Sequence, residues 1–136
     1  LLHLRGWSRN NRQTQQLALR IVEYQNQYPG RPVWIVGHSG GGGIALLTAS
    51  ILPEDRRLTG IIMLAPAVSR TFDVRPAAAH VETAIWNYHS MLDWFFLQFG
   101  TTLLGTIDGI HGCAAGAYGL RGSANDEAAT AGKLIQ

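Results

Sequence analysis

Gly37-His38-Ser39-Gly40-Gly41 fits the pattern G-x-S-x-G, and its flanks determine what that pattern can do. Ahead of it, Val33-Trp34-Ile35-Val36 is apolar throughout and reads as a short strand buried on both faces. Behind it, Ile44-Ala45-Leu46-Leu47 opens an apolar helical run. A serine on a sharp turn from strand to helix is forced to positive φ, and residues two positions either side come too close to carry a Cβ. Gly37 and Gly41 answer that demand. The turn lifts the Ser39 hydroxyl clear of the sheet at the positive end of the following helix, where the Gly40 N–H can bind an oxyanion. The chemistry such a site performs is acyl transfer through a serine nucleophile. The plain structural alternative makes Ser39 only the N-cap of the helix.

Two other glycine-loop readings compete. A phosphate-binding P-loop needs Lys and Ser/Thr directly after its last glycine, and here Gly42 is followed by Gly43 and Ile44. Gly40 to Ala45 also fits a relaxed dinucleotide fingerprint, G-x-G-x-x-A. That site wants a carboxylate ending the next strand, which here closes as Leu64-Ala65-Pro66.

The elements that must position Ser39 follow from periodicity. Thr14 to Tyr28 carries Leu17, Ile21, Tyr24 and Tyr28 at near-helical spacing and is stopped by Pro29-Gly30. The helix after Ser39 should run from about Gly41 to Leu52, ended by Pro53, and should be buried because it is apolar nearly all round. Gly60 to Ala65 reads as a second buried strand, so strand, helix and strand form a βαβ unit in a parallel sheet. Ala67 to Ala79 is loop with a short helical turn, and Thr83 to Tyr88 is a third, more polar strand. Met91 to Leu104 is helical with Trp94, Phe95, Phe96 and Phe99 on an aromatic face, best explained by core packing. Residues 105–122 are too rich in glycine for a regular element, and Ser123 to Gln136 is alanine-rich and weakly helical. Leu1 to Asn11 is too mixed to assign.

Composition narrows the class. In 136 residues, 46% are hydrophobic and 15% charged, which suits a packed core. A net charge of +2 is too small to imply nucleic acid or an anionic membrane as partner. One cysteine, Cys113, makes neither an internal disulfide nor a cysteine metal site, and the five histidines lack ligand spacing. No cofactor or metal is implied. No run reaches transmembrane length and no signal peptide is seen, while Leu1 is already mid-domain in character, so the compartment stays open.

With the serine turn and the βαβ unit in place, the chain resembles the α/β-hydrolase superfamily from about Thr14 to Leu104. More narrowly, Leu64 to Ser69, Phe72-Asp73-Val74, Asp93-Trp94 and Gly105 to Gly109 look like a group of bacterial hydrolase-like proteins. The resemblance implies a serine hydrolase acting on an ester, thioester or amide, with a chain order of nucleophile, acid, histidine. It places the acid after the third strand, where Asp93 stands five residues past Tyr88; Asp73 is the rival, and N-capping of the aromatic helix is the bland role for Asp93.

The histidine is harder. His38 adjoins Ser39 on the opposite strand face, His3, His80 and His89 precede the acid, and His111 follows no buried strand. The expectation is therefore a partial α/β-hydrolase domain over residues 1–136, with a core of about 14–104 and a glycine-rich loop and tail over 105–136. It should hold about three parallel strands with flanking helices, leave one sheet edge open and apolar surface exposed, and take its base from outside the sequence. A hydrolase-like binding or scaffold domain with a dead triad is the alternative.

Overall fold

The computed structural model describes residues 2–89 and 119–136. Its elements run α1 (Leu2–Gln27), β1 (Trp34–His38), α2 (Gly40–Ser50), β2 (Gly60–Leu64), α3 (Arg75–Ala78), β3 (Ile85–Tyr88), α4 (Ser123–Thr130) and β4 (Leu134–Ile135). Among the described residues the sheet has four strands, in the order β1-β2-β3-β4, and each pairing is parallel. This is a parallel sheet with flanking helices, as a partial α/β-hydrolase fold requires.

The α1 helix starts well before Thr14, and its buried stripe is not the one the tyrosines suggest. Thr14, Ala18 and Ile21 are buried and Leu17 packs beside them, at offsets of three, four and seven. Tyr24 and Tyr28 sit at the margin, with ring centroids 5.0 Å apart, and the Arg31 guanidinium stacks 4.8 Å from the Tyr28 centroid. In α2, Ala45, Leu46 and Ala49 are fully buried. Small side chains on this helix let its backbone lie close to the sheet.

The core occupies one face of the sheet. Ile61, Met63, Ile85 and Leu134 join Ala45, Leu46 and Ala49 of α2, Ala18 and Ile21 of α1, Ala77 and Ala78 of α3 and Ala128 of α4 in one cluster. The alternate strand residues point the other way. The expectation that β1 is buried on both faces is corrected here: Trp34 is 46% exposed and Val36 is 62% exposed. Side chains alternate across a strand, and the described helices pack on only one side of this one. Leu64, Tyr88 and Ile135 are exposed on the same face, and Trp34 and Trp86 close over Gly60 with ring centroids 5.6 Å apart.

The last residues contribute more than the expected tail. After α4, Lys133 donates from Nζ to the carbonyls of Val81 and Glu82 at 2.9 and 2.7 Å, and Leu134 pairs with Ile85. A strand of two residues leaves no readable alternation, which is why the sequence gives no sign of it. Asn125 joins α4 to the loop before α3. Its buried amide accepts from the Val74 N–H at 3.2 Å and donates to the Phe72 and Arg121 carbonyls, each at 2.9 Å. The expected aromatic helix Met91 to Leu104 and the glycine-rich run as far as Tyr118 lie outside the described residues.

Asn125→Ala removes three hydrogen bonds and strands a buried N–H and two carbonyls. It should lower unfolding free energy by about 2 kcal/mol, read as a lower urea midpoint at unchanged slope. A midpoint equal to wild type would show that water replaces the amide without loss.

Candidate active site

The residues that immediately follow the strands' last residues form a row along one edge: Ser39 after His38, Ala65 after Leu64, His89 after Tyr88 and Gln136 after Ile135. This is the carboxyl edge of a parallel sheet, the edge at which α/β proteins place their ligands. Ser39 has φ 52° and ψ −120°, between the end of β1 and the start of α2. Positive φ in a residue with a side chain costs on the order of 1–3 kcal/mol and persists only where the surroundings impose it.

Here the surroundings are specific. The Ser39 N–H donates to the Leu64 carbonyl at 2.9 Å, and the Ser39 carbonyl accepts from Gly42 N–H at 3.1 Å and from Ala67 N–H at 3.0 Å. A Cβ on Gly37 would collide with the Gly41 carbonyl oxygen and stand 2.6 Å from its carbon and 2.7 Å from Gly42 N. The expected need for glycine at 41 is not met in the same way, because a Cβ there meets nothing within 4 Å. The second close approach falls one residue later, where a Cβ on Gly42 would sit 2.8 Å from Pro66 Cβ. The reason is geometric: α2 sets the carbonyl of Gly41, not its Cβ position, against β1, and rests Gly42 on Pro66 just past β2.

The side chain of Ser39 makes no capping hydrogen bond, although the residue stands at the N-cap of α2, and it is half-buried. Its hydroxyl is not spent on the helix. Gly40 is the first residue of α2, where N–H groups have no intrahelical acceptor and the helix dipole favours negative charge. A hydroxyl beside a first-turn N–H can attack a carbonyl and receive the oxygen charge that develops.

The other candidates are distributed unevenly. Asp93 and His111 lie outside the described residues. Asp73 does not stand free: its Oδ1 accepts from Arg75 N and Nε at 2.9 and 3.0 Å, and its Oδ2 from Arg75 Nη2 at 2.9 Å. The Arg75 side-chain hydrogen bonds, helped by its backbone N–H, hold the Asp73 carboxyl below the ordinary carboxylate range. His38 is exposed and shares the open sheet face with Val36. His80 sets Nδ1 against the Arg56 carbonyl at 3.0 Å, in the loops that precede the strands. His89 is on the carboxyl edge, at the end of β3, with its ring beside Gly119.

A cleft of about 500 Å³ lies at the opposite edge, lined by Arg31, Arg56 and Arg57 among others. Those arginines serve the fold: Arg57 donates to the Ala79 carbonyl, Arg56 to Asn26 Oδ1 at 2.7 Å, and Arg31 covers Tyr28. Ser39 stands on the other edge, which is therefore the candidate site. Sequence reasoning missed Ala65, which has φ 45° at the end of β2 and is buried. Nothing in Ala65-Pro66 signals this, since a residue before proline is ordinarily extended.

The fold and this edge define an α/β-hydrolase. More particularly, the chain belongs to the serine aminopeptidase S33 family, whose model matches residues 3–101. It is similar to human (Homo sapiens) monoglyceride lipase, 46% identical over 48 residues, which are 35% of this chain and 15% of that protein. The chain thus spans only a small part of the length of that relative. No solved structure matches it.

Gly37→Ala should cost about 2 kcal/mol or more of stability, whereas Gly41→Ala should be neutral or slightly stabilising. Thermal melts of the two variants check the contrast, and equal losses would contradict the geometry. Because the folded Asp73 carboxyl titrates below its ordinary value of 3.8, its pair with Arg75 stabilises the fold above that pH and the gain is lost as pH falls through the lowered value. The pair is exposed, so the effect is small. Carboxyl NMR should put the Asp73 midpoint below 3.8 and return it upward in Arg75→Ala.

Proposed function

We propose that this chain carries the nucleophile of a serine hydrolase acting on a carboxylic ester, thioester or amide. Ser39 Oγ attacks the acyl carbon while a histidine base takes its proton, and the oxyanion of the tetrahedral adduct is held by the Gly40 N–H. The adduct collapses, the protonated base gives its proton to the leaving group, and water then hydrolyses the acyl-serine. Asp93 is assigned the acid that orients the base, and the base itself is assigned to a histidine outside residues 1–136. Residues 1–136 are read as part of a single hydrolase domain.

The observation that carries the reading is the strained Ser39 at φ 52° with its hydroxyl unused by the helix it precedes. An N-cap serine has extended or near-extended backbone and spends its hydroxyl on the first turn. Family membership supports acyl chemistry, and the similarity to a monoglyceride lipase favours an ester among the three substrate classes. The substrate is a small acyl compound.

In the full-length protein, an active-site fluorophosphonate should label wild type and lose at least about a hundredfold in labelling rate in Ser39→Ala. Equal labelling of the two points to another nucleophile. An unlabelled wild type points to a hydrolase-like binding domain instead.

A further inference from the structure

Two residues with side chains have positive φ among those described, and both end neighbouring strands on the candidate edge: Ser39 at 52° and Ala65 at 45°. Hydrogen bonds in both directions join Ser39 to the residues on either side of Ala65. The Ser39 N–H donates to Leu64, the residue before Ala65, and the Ser39 carbonyl accepts from Ala67, two residues after it. One short segment therefore supplies both an acceptor and a donor to the same residue. A chain continuing straight out of β2 would carry the Ala67 N–H away from β1. The bend at Ala65 turns it back.

Other contacts hold the bend itself. The Ala65 N–H donates to the Tyr88 carbonyl at 2.9 Å, extending the ladder one residue past β2. Pro66 is fully buried, with its ring against Gly42 in the first turn of α2, where a Cβ would stand 2.8 Å from Pro66 Cβ. The segment from Leu64 to Ala67 is thus gripped between β3 and α2. It in turn grips Ser39.

We propose that Ala67 is a positioning residue for Ser39: its backbone N–H, bonded to the Ser39 carbonyl, holds the serine in its strained conformation, and the strained Ala65 is the bend that delivers that N–H. The proposal rests on the reading of Ser39 as nucleophile. Without the Ala67 bond, the Ser39 carbonyl keeps only the Gly42 N–H, a bond that an ordinary helix start also makes. Ser39 then relaxes toward negative φ, its hydroxyl swings from the Gly40 N–H, and the reactive population falls.

The test uses fluorophosphonate labelling of Ser39 in the full-length protein, with rates measured across probe concentrations. Replacing the Pro66–Ala67 peptide bond by an ester removes that one N–H and keeps the shape; Ala67→Pro removes it genetically, and Ala67→Gly keeps it. The ester variant should lose about five- to tenfold in maximal labelling rate, as expected for one backbone hydrogen bond, at unchanged half-saturating probe concentration. Ala67→Gly should label within about twofold of wild type. Circular dichroism checks that each variant is folded, and the ester variant is the deciding one if Ala67→Pro misfolds. A folded ester variant that labels like wild type overturns the positioning role and leaves the nucleophile reading standing. A wild type that does not label at Ser39 overturns both.

Discussion

The structure depends on how abruptly β1 becomes α2. The strand ends at His38, the helix begins at Gly40, and the whole change of direction falls on Ser39. Such a turn brings the helix back against the strand so closely that the Gly41 carbonyl occupies the place a side chain at 37 would need. The energetic consequence is a cost, strained backbone at Ser39, that the surrounding hydrogen bonds and packing must offset. The structural consequence is a hydroxyl held at a helix N-terminus without a capping bond to it.

Everything else lies around that helix. α1 and α3 pack on α2, α2 packs on β1 and β2, and α4 ties α3 to β4. Asn125 and Lys133 complete the connection with buried or half-buried polar bonds rather than apolar area. The result is a sheet with a dense core on one face. The other face presents Trp34, Val36, Leu64, Tyr88 and Ile135, an apolar row of the kind parallel sheets ordinarily cover on both sides. Exposed apolar side chains occur on α1 as well, Leu19 and Tyr24 among them.

The two edges of the sheet differ in kind. At the edge where strands begin, Arg57 and Gln25 bond to backbone carbonyls, Arg56 bonds to Asn26, and together they hold the loops. At the edge where strands end, two residues are strained and a serine hydroxyl is left over from capping. Among the described residues, positive φ in residues with side chains is confined to the edge where the strands end.

How much of this was legible depends on the range of the signal. The parallel βαβ order could be read because Val33 to Val36 and Gly60 to Ala65 are unbroken apolar runs around a glycine-flanked serine, and the turn chemistry of Gly37 is local to five residues. Periodicity placed a helix before β1 and had Leu17 and Ile21 on its inner side, but continued the stripe to Tyr24 and Tyr28, which are apolar enough to fit the period yet polar enough to stay at the margin. Whether β1 is covered on one face or two is decided by helices packed across the sheet, which no window of the strand contains. The same is true of Gly42, whose need to be glycine comes from Pro66, 24 positions on. Ala65 is the clearest case: its N–H donates to Tyr88, and the residues that bond Ser39 are Leu64 and Ala67 on either side of it. By itself the sequence determined the local turn that strains a serine. Only the tertiary structure decided what holds the strain in place, because the groups that do so come from neighbouring strands.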